Sequence, residues 1–574
     1  MNGTPRSCGL APMLVGLLVI CFVLMGLAMI PHAGIQTDEA IFTSAMFTEP
    51  YPWFAISIFK KMVPLMVMSY LGTAKTALYT IIFTLWQPNV YSLRVPALLL
   101  GALSLVLTYL LFKRIAGRRA ALFGTALLSF DTSYLLATVF DWGPVAIQHV
   151  CLLGGLLLLL KYGQEGEERA LAGGFFLLGL GMWDKAIFAW MLSGAVVAAA
   201  IVFPFPLMRN LRPKQISKAA IFFSLGALPL IIYNVRKPLA TFRGNASFSR
   251  ENLPQKLRVL EVTARGSALF GFFGPTESER PREPEGALEA AFTAFSKATG
   301  NRQEHWLWHA WLASIALTPV LLFTKWRKAI AFTVIMMLVA WLQMVFTRDT
   351  GGATHHVILL WPFPILMIAL AGEWLAEKAG RFGNAGMAAV ALILSGSCLM
   401  VTSTYVSHFV RHGSAGPWSD AVFDLAEVLS RRNGQTVYLT DWGMLDNTRM
   451  LTQGKVPLRW ASDPLTAPQL TADHTRFLNE ILALPNAVFV LNTDDRQIFP
   501  EVNAKLARLT GELGFEREPV TTIRDSHGRV CFEIVRFRRK TIEPSIGVVK
   551  GRVGERVPAS GGVGRVVEKE PVLK

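Results

Sequence analysis

Long apolar stretches alternate with short polar loops over the first 405 residues of the chain. Most of them are long enough to cross the roughly 30 Å hydrocarbon core of a bilayer as a helix. Helices are required because lipid cannot satisfy free backbone N–H and C=O groups. The pattern predicts eleven transmembrane spans, at residues 11–31, 93–112, 120–136, 144–160, 170–183, 186–204, 219–233, 306–324, 329–346, 355–372 and 387–404. The first span ends in MIPHAG, without an A-x-A-like cleavage site, which indicates a retained anchor.

The basic loops predict the orientation of these spans. With eleven spans, four basic loops fall on the same side of the membrane, at residues 113–119, 209–218, 325–328 and 377–381. Short basic loops mark the cytoplasmic side. The outward-facing segments are then residues 32–92, 131–143, 234–305, 347–354 and everything beyond 405. Within the first outer loop, FAISIFKKMVPLMVMSYL and TALYTIIFTLW are amphipathic and too broken to span, which predicts re-entrant or surface-lying helices.

Beyond residue 405 the pattern changes. Short β-rich runs (TVYLTD, AVFVLN, VCFEIVRF) alternate with helical runs, which predicts a small extracytoplasmic α/β domain over residues 406–540. From residue 541 to 574, Gly, Val, Pro and charged residues follow no period, and we predict a disordered tail. The predicted fold class is therefore mainly α: residues 1–405 form a polytopic transmembrane helical bundle, and the α/β domain follows it.

Composition agrees with a membrane protein. Of the 574 residues, 52% are hydrophobic and 17% are charged, and the formal net charge is +16. Much of that charge lies in the short cytoplasmic loops, so we do not predict nucleic-acid binding. The five cysteines are scattered and show neither a zinc spacing nor a disulfide framework.

Ionisable residues collect at the outer ends of the spans. They include acids, bases and histidines, namely Asp38, Glu39, Lys75, Arg94, Asp141, Asp184, Lys185, His355 and His356. Each has a local explanation: basic side chains snorkel to the interface, Asp184 and Lys185 suit a local pair at a turn, and Asp141 suits an N-cap before Pro144. Their convergence on one face of the membrane is less easily explained in that way, and indicates a functional site.

The order of these motifs resembles the GT-C glycosyltransferases. The branch that it most resembles contains the protein O-mannosyltransferases and the lipid A aminoarabinose transferases, glycosyltransferase family 39. Six stretches carry the resemblance: QTDEA at 36–40, YLGTAKTALYTIIF at 70–83, YSLRVPALLLGALSLVLTYLLFKRIAGRRAALFGTALLSFD at 91–131, ATVFDWGPVAIQH at 137–149, GLGMWDKAIF at 179–188 and HHVILLWPFP at 355–364. It covers residues 1–405. The large outer loop at 234–305 and the C-terminal α/β domain depart from the family pattern, and for both the resemblance is silent.

The resemblance implies transfer of a sugar from a polyprenyl-phosphate donor to an acceptor hydroxyl of a protein, lipid or glycan, with inversion. Asp38 is the expected base or orienting group, and Glu39 shares that role or holds Asp38 in place. Asp141 and Trp142 are expected across the same cavity, against the sugar.

The expected contacts to the donor phosphate are Lys75 and Arg94, followed by Lys185, His355 and His356. Arg236 and Arg348 lie on the same face. Arg94 also suits an interfacial anchor. Apart from Asp38 and the histidines, which could meet on folding, the chain offers no metal-ligand pattern, and the resembling branch is metal-independent. We therefore predict no cofactor and no metal.

Two other functions fit part of the pattern. A transporter or lipid flippase would also place charges in membrane cavities, but predicts charges near the midplane and two related halves. A membrane-anchored sensor or assembly factor would use the C-terminal domain to bind a partner, and leaves the outer cluster unexplained. We expect a glycosyltransferase of a bacterial-type cytoplasmic membrane, with its site and C-terminal domain facing the periplasm or exterior.

Overall fold

The structure is a computed structural model, and it describes residues 9–47, 54–206, 212–243, 245, 247–274, 281–348, 350–432 and 434–540. Helices dominate the first three quarters of the chain. The first nine are α1 (Leu10–Met29), α2 (Thr37–Ser44), α3 (Ala74–Leu85), α4 (Val90–Ala116), α5 (Arg118–Phe130), α6 (Thr132–Val139), α7 (Val145–Glu165), α8 (Glu168–Asp184) and α9 (Phe188–Val202). The next eleven are α10 (Pro213–Gly226), α11 (Leu228–Arg236), α12 (Ala240–Arg243), α13 (Leu253–Arg265), α14 (Phe270–Phe273), α15 (Ala287–Ala298), α16 (Leu307–Leu321), α17 (Arg327–Phe346), α18 (Thr354–Val357), α19 (Phe363–Lys378) and α20 (Gly383–His412).

Helices occupy all eleven stretches in which the hydrophobic pattern predicts spans. Among the described residues, six helical segments are long and apolar enough to cross a membrane, and the number rises to eight if each of two bent pairs counts as one span. The bent pairs are α5 with α6, at 61°, and α10 with α11, at 77°. The chain is thus a multi-pass membrane protein, while the full count of eleven stays a prediction.

The segment Thr354–Lys378, which contains α18 and α19, lies at the centre of the bundle. Within its most apolar window 89% of the residues are buried inside the protein, against 33–56% for the other five long spans. His355 and His356 stand at its first turn. The histidines therefore begin the helix that the other spans enclose.

The first outer loop differs in part from the prediction. TALYTIIFTLW is helical, as part of α3, but FAISIFKKMVPLMVMSYL is not. It forms a β-hairpin of β1 (Phe54–Ile58) and β2 (Lys61–Met66), in which Ile58 pairs with Lys61 around a two-residue turn. The expected surface helix is therefore wrong here. The run is rich in β-branched and aromatic residues, and Phe59 and Lys60 adopt the positive φ angles, 49° and 65°, that a tight hairpin turn requires.

The C-terminal region forms a five-stranded sheet with helices on it. Its remaining strands are β3 (Thr436–Leu439), β4 (Leu458–Trp460), β5 (Ala487–Asn492), β6 (Phe515–Arg524) and β7 (Val530–Arg539), in the order β4-β3-β5-β7-β6. Strands β4, β3 and β5 are parallel, and β7 is antiparallel to both of its neighbours. The helices are α21 (Ala421–Ser430), α22 (Leu445–Leu451), α23 (Asp463–Thr466), α24 (Ala472–Leu482) and α25 (Val502–Glu512).

The sheet is buried on both faces. All six residues of β5 are buried, and two apolar clusters flank the sheet. This is why the first five residues of β5, AVFVL, are continuously apolar instead of alternating. The DSHG motif forms the turn between β6 and β7, with the Asp525 N–H donating to the Arg529 carbonyl at 2.9 Å. The predicted disordered tail, 541–574, lies outside the described residues.

A close backbone contact joins the C-terminal region to the end of α1. The Gly34 N–H donates to the Trp418 carbonyl at 2.6 Å. A Cβ on Gly34 would lie 1.9 Å from the Ser419 carbonyl oxygen. Only glycine fits at this crossing.

We expect Gly34→Ala to lower the melting temperature of the detergent-solubilised protein, because the added methyl forces the two segments apart. Overpacking of this kind costs about 1–3 kcal/mol. Gly16→Ala is the matched control, since nothing lies within 4 Å of its added Cβ. Equal melting temperatures for the two variants would contradict the tight crossing at Gly34.

Candidate active site

Asp38 stands at the first turn of α2, directly after the end of the first span. The Gln36 side chain caps this helix, accepting from the backbone N–H of Asp38 at 2.6 Å and of Glu39 at 3.3 Å. Its amide also donates to Asp38 Oδ2 at 3.3 Å. The Asp38 carboxylate is partly exposed, and forms no ion pair within 4.0 Å with any described residue. It therefore keeps lone pairs for an incoming group.

Glu39, one residue further on, binds Arg94 through both of its carboxylate oxygens. Arg94 donates from Nε to Glu39 Oε1 at 2.8 Å and from Nη2 to Oε2 at 2.9 Å. Its other N–H groups donate to the carbonyl oxygens of Ile30, Ala33 and Gly34 at 2.6–2.8 Å. All five donors of the guanidinium are thus used, and the side chain is 0% exposed. These contacts favour a structural role for Arg94 and Glu39 over the phosphate-binding and catalytic roles expected of them.

Lys75 and Asp141 form a second buried pair. Lys75 Nζ lies 2.9 Å from Asp141 Oδ2 and donates to the Asp141 carbonyl at 3.0 Å. The other carboxylate oxygen of Asp141 accepts from the Ala146 N–H at 3.0 Å, in the first turn of α7, although the residue at the N-cap position itself is Pro144. Lys75 is 1% exposed. The pair joins α3 to the start of α7, and in this arrangement Lys75 is bound to Asp141 and not open to a phosphate.

Lys185 differs from the other buried cations at the site. The segment after the hairpin brings it in, because Gly72 N–H donates to the Asp184 carbonyl and Ala186 N–H to the Tyr70 carbonyl, both at 3.0 Å. Among the described residues, no hydrogen bond or ion pair involves its ammonium group, and the residue as a whole is 5% exposed. The charges of Asp38, Asp184, Asp141 and Lys75 all act on it.

Electrostatics link Lys185 to Asp38. Burial lowers the pKa of Lys185 to about 8, against the opposing effect of the Asp38 and Asp184 carboxylates. Burial also raises the pKa of Asp38, while the Gln36 hydrogen bond and the Lys185 charge act in the opposite direction. An ammonium and a carboxylate that are both poorly solvated, and are not paired with each other at close range, can each bind a charged or polar group.

The two neighbouring histidines, His355 and His356, lie in the field of the Lys185 charge. Trp142 Nε1 donates to His355 Nδ1 at 2.7 Å, and the Gly351 N–H donates to His356 Nδ1 at 3.1 Å. Because each Nδ1 accepts, the neutral rings carry their proton on Nε2. The Lys185 charge acts on both rings. Trp142 itself packs among Phe272, Phe273 and Trp418.

A cavity of about 240 Å³ adjoins His356, and sequence reasoning missed most of its lining. The residues around it are mainly polar or basic: Ser249, Glu251, Asn252, Gln255, Lys256, Arg348, Thr350, Gly352, Ala353 and His356. Arg348 was expected on this face, but Lys256 was not. Lys256 Nζ donates to the carbonyls of Val345 and Thr347 at 2.8 and 2.7 Å. Arg236 is exposed at the end of α11 and does not line this cavity.

The C-terminal region also reaches the site, which no sequence signal indicates. Helix α22 packs on α2, where Ser44 Oγ donates to Asp446 Oδ1 at 2.6 Å and Asn447 Nδ2 to the Ile35 carbonyl at 2.8 Å. The Asp446 charge acts on Asp38. The helix that carries Asp38 is therefore held between Arg94 on one side and α22 on the other.

Comparison with known proteins identifies the fold. A family model described as dolichyl-phosphate-mannose-protein mannosyltransferase matches residues 74–233. The crystal structure of ArnT from Cupriavidus metallidurans, bound to undecaprenyl phosphate, has a TM-score of 0.53 at 12% identity, covering 92% of this chain and 98% of that one. The chain has the GT-C fold.

A second GT-C structure gives the same result. The Archaeoglobus fulgidus oligosaccharyltransferase, tethered to an acceptor peptide, has a TM-score of 0.51 at 11% identity, covering 93% of this chain and 74% of that one. The search of curated proteins gave no match. Among the described residues, no group of three or more His, Cys, Asp and Glu side chains could hold a metal ion, and the absence of a metal stays a prediction.

We expect Glu39→Gln to destabilise the protein, because it leaves the buried Arg94 charge without its counter-ion. Breaking such a pair costs about 3–5 kcal/mol. The measurement is the melting temperature in detergent, compared with that of Asp38→Asn, which breaks no ion pair. A Glu39→Gln protein with wild-type melting temperature and no activity would instead make Glu39 the reacting carboxylate.

Proposed function

We propose that the chain is a membrane glycosyltransferase that moves a sugar from a polyprenyl-phosphate donor to an acceptor hydroxyl, with inversion, on the outer face of a bacterial-type cytoplasmic membrane. The observation that carries the proposal is that a carboxylate, Asp38, and a buried lysine, Lys185, act on each other electrostatically while neither forms an ion pair with any described residue. The mannosyltransferase family model over residues 74–233 and the GT-C fold support it. So does the undecaprenyl phosphate bound to ArnT, the structural neighbour that spans nearly the same length.

The acceptor hydroxyl, Asp38 and the donor phosphate each have a role in the displacement at the anomeric carbon. The acceptor O–H gives its proton to Asp38 as its oxygen attacks the anomeric carbon. The bond from that carbon to the phosphate oxygen breaks on the opposite face, and the phosphate leaves with the electron pair. A positioned carboxylate base contributes typically about 10²–10⁴-fold.

The leaving phosphate needs positive charge and N–H donors on the other side. Lys185 supplies an ammonium with no partner among the described residues, and His355 and His356 add the neutral Nε2–H groups. In a poorly hydrated site, preorganised donors of this kind stabilise developing negative charge strongly. Lys256 and Arg348, in the adjoining cavity, add further positive charge on the same side.

The two closed ion pairs position the reacting groups. Glu39–Arg94 fixes the start of α2, and with it Asp38, while Lys75–Asp141 fixes α3 against α7. The ionisable residues lie at the outer ends of the helices instead of at their middles, which favours a transferase over a transporter or flippase. The acceptor class stays open between protein, lipid and glycan.

We expect Asp38→Asn to lower the turnover number by about 10²–10⁴-fold, because the amide cannot take the acceptor proton. The assay is sugar transfer in proteoliposomes that contain a polyprenyl-phosphate sugar. Asp424→Asn, at an exposed position of α21, is the matched control. Wild-type turnover in Asp38→Asn would refute the role of Asp38.

We expect kcat/KM to fall at both acidic and alkaline pH. Asp38 must be ionised, and its pKa is raised, so activity falls on the acid side at a higher pH than for an ordinary aspartate. Lys185 must be protonated, so activity falls as the pH rises through about 8. Lys185→Arg keeps its positive charge at alkaline pH, so this variant should not lose activity near pH 8. A pH profile that Lys185→Arg leaves unchanged would exclude Lys185 from the phosphate site.

A further inference from the structure

The β1–β2 hairpin leaves a cluster of large side chains exposed at its tip, without a packing partner among the residues that the structure describes. Its tip, residues 57–62 with the sequence SIFKKM, is exposed throughout. Phe59 is 96% exposed, Met62 52% and Ile58 41%. Phe59 also adopts a φ of 49°, which is uncommon for a bulky residue. Hairpin turns of this geometry prefer Asn-Gly or Asp-Gly, so an exposed phenylalanine here meets no local requirement.

The base of the hairpin, in contrast, is fixed. Trp183 Nε1 donates to the Leu65 carbonyl at 3.0 Å, and Thr73 Oγ1 donates to the Pro64 carbonyl at 2.7 Å. Leu65 and Met66 are buried. A two-stranded hairpin is marginally stable alone, so these contacts hold it and direct the tip away from the bundle.

The hairpin stands beside a membrane helix. Strand β2 packs on α11, and the rings of Phe54 and Tyr233 meet edge to face at a centroid distance of 5.3 Å. Helix α11 is the second half of a bent pair that is apolar enough to span. Its Val235, near the end that the basic loops place outside, is 72% exposed. With the orientation that the basic loops predict, the hairpin therefore lies beside the outer end of this helix.

The composition of the tip suits a lipid interface. Aromatic and long apolar side chains insert at the boundary between headgroups and acyl chains, and lysines bind the phosphates of anionic lipids. Phe59, Ile58 and Met62 match the first requirement, and the exposed Lys60 and Lys61 match the second.

We propose that the hairpin tip, residues 57–62, inserts into the outer leaflet of the membrane that the chain spans. Phe59 lies at the acyl boundary, and Lys60 and Lys61 bind anionic headgroups. The same chain segment continues through Gly72 to the turn that holds Lys185. The anchor is independent of the proposed reaction, since it requires only the exposed tip and the adjoining span.

Spin labels test this in the full-length protein, reconstituted in vesicles of zwitterionic and anionic phospholipid. The five native cysteines are replaced by serine, and one cysteine is introduced by Phe59→Cys, Val235→Cys or Glu516→Cys. Position 235, exposed on a helix of a bent pair that is apolar enough to span, serves as the lipid reference. Glu516, exposed on β6 of the C-terminal sheet, serves as the aqueous reference. Accessibility is measured to oxygen, which concentrates in lipid, and to a water-soluble nickel chelate.

The expected result is that the label at 59 resembles the label at 235, with high oxygen and low nickel accessibility. A label at 59 that resembles the label at 516 would overturn the proposal, whether the tip is in water or against another protein.

Charge reversal, Lys60→Glu with Lys61→Glu, should shift the label at 59 toward water in anionic vesicles and less in purely zwitterionic ones. An equal effect in both would overturn the role of the lysines. None of these measurements depends on transferase activity.

Discussion

The arrangement of the site depends on one buried charge, the guanidinium of Arg94. A buried cation is tolerated only when an opposite charge and enough acceptors surround it. Here Glu39 supplies the charge, and the carbonyls of Ile30, Ala33 and Gly34 supply the acceptors. These four residues include the end of the first span and the beginning of α2. The ion pair and the hydrogen bonds of Arg94 therefore fix the turn by which the chain leaves the first span. They also position Asp38, because Asp38 lies next to Glu39.

Some of the ionisable groups at the site form ion pairs and others do not. This difference explains how the two acidic residues after the first span can serve two purposes. Glu39 and Asp141 each bind a buried cation and connect helices that are distant in the sequence. Asp38 and Lys185 have no such partner among the described residues, and each is deprived of water by its surroundings. A poorly solvated group that is already neutralised contributes mainly to structure, whereas one that is still open keeps its capacity to bind and react.

The C-terminal region contributes to the same arrangement. Trp418 accepts a hydrogen bond from Gly34 and packs against Trp142, and α22 holds α2 through Asp446 and Asn447. Helix α2 is short and is held from both sides. The geometry of Asp38 thus depends on residues some 400 positions away in the chain, so changes in the sheet region can reach the site without any contact to substrate.

The sequence by itself determined where the long apolar helices lie and that a sheet-forming region follows them. The face of the membrane on which the ionisable groups collect stays a prediction. Hydrophobic period and loop charge are local properties, and local properties can be read along the chain. It did not distinguish the hairpin from a surface helix, because a short apolar run is compatible with either. Only the tertiary structure decided which of the described charged side chains form ion pairs and which do not. Glu39 and Arg94 are 55 residues apart, and Lys75 and Asp141 are 66 apart, so no spacing rule pairs them. Their partners are set by how the helices pack, and that packing leaves Asp38 and Lys185 unpaired.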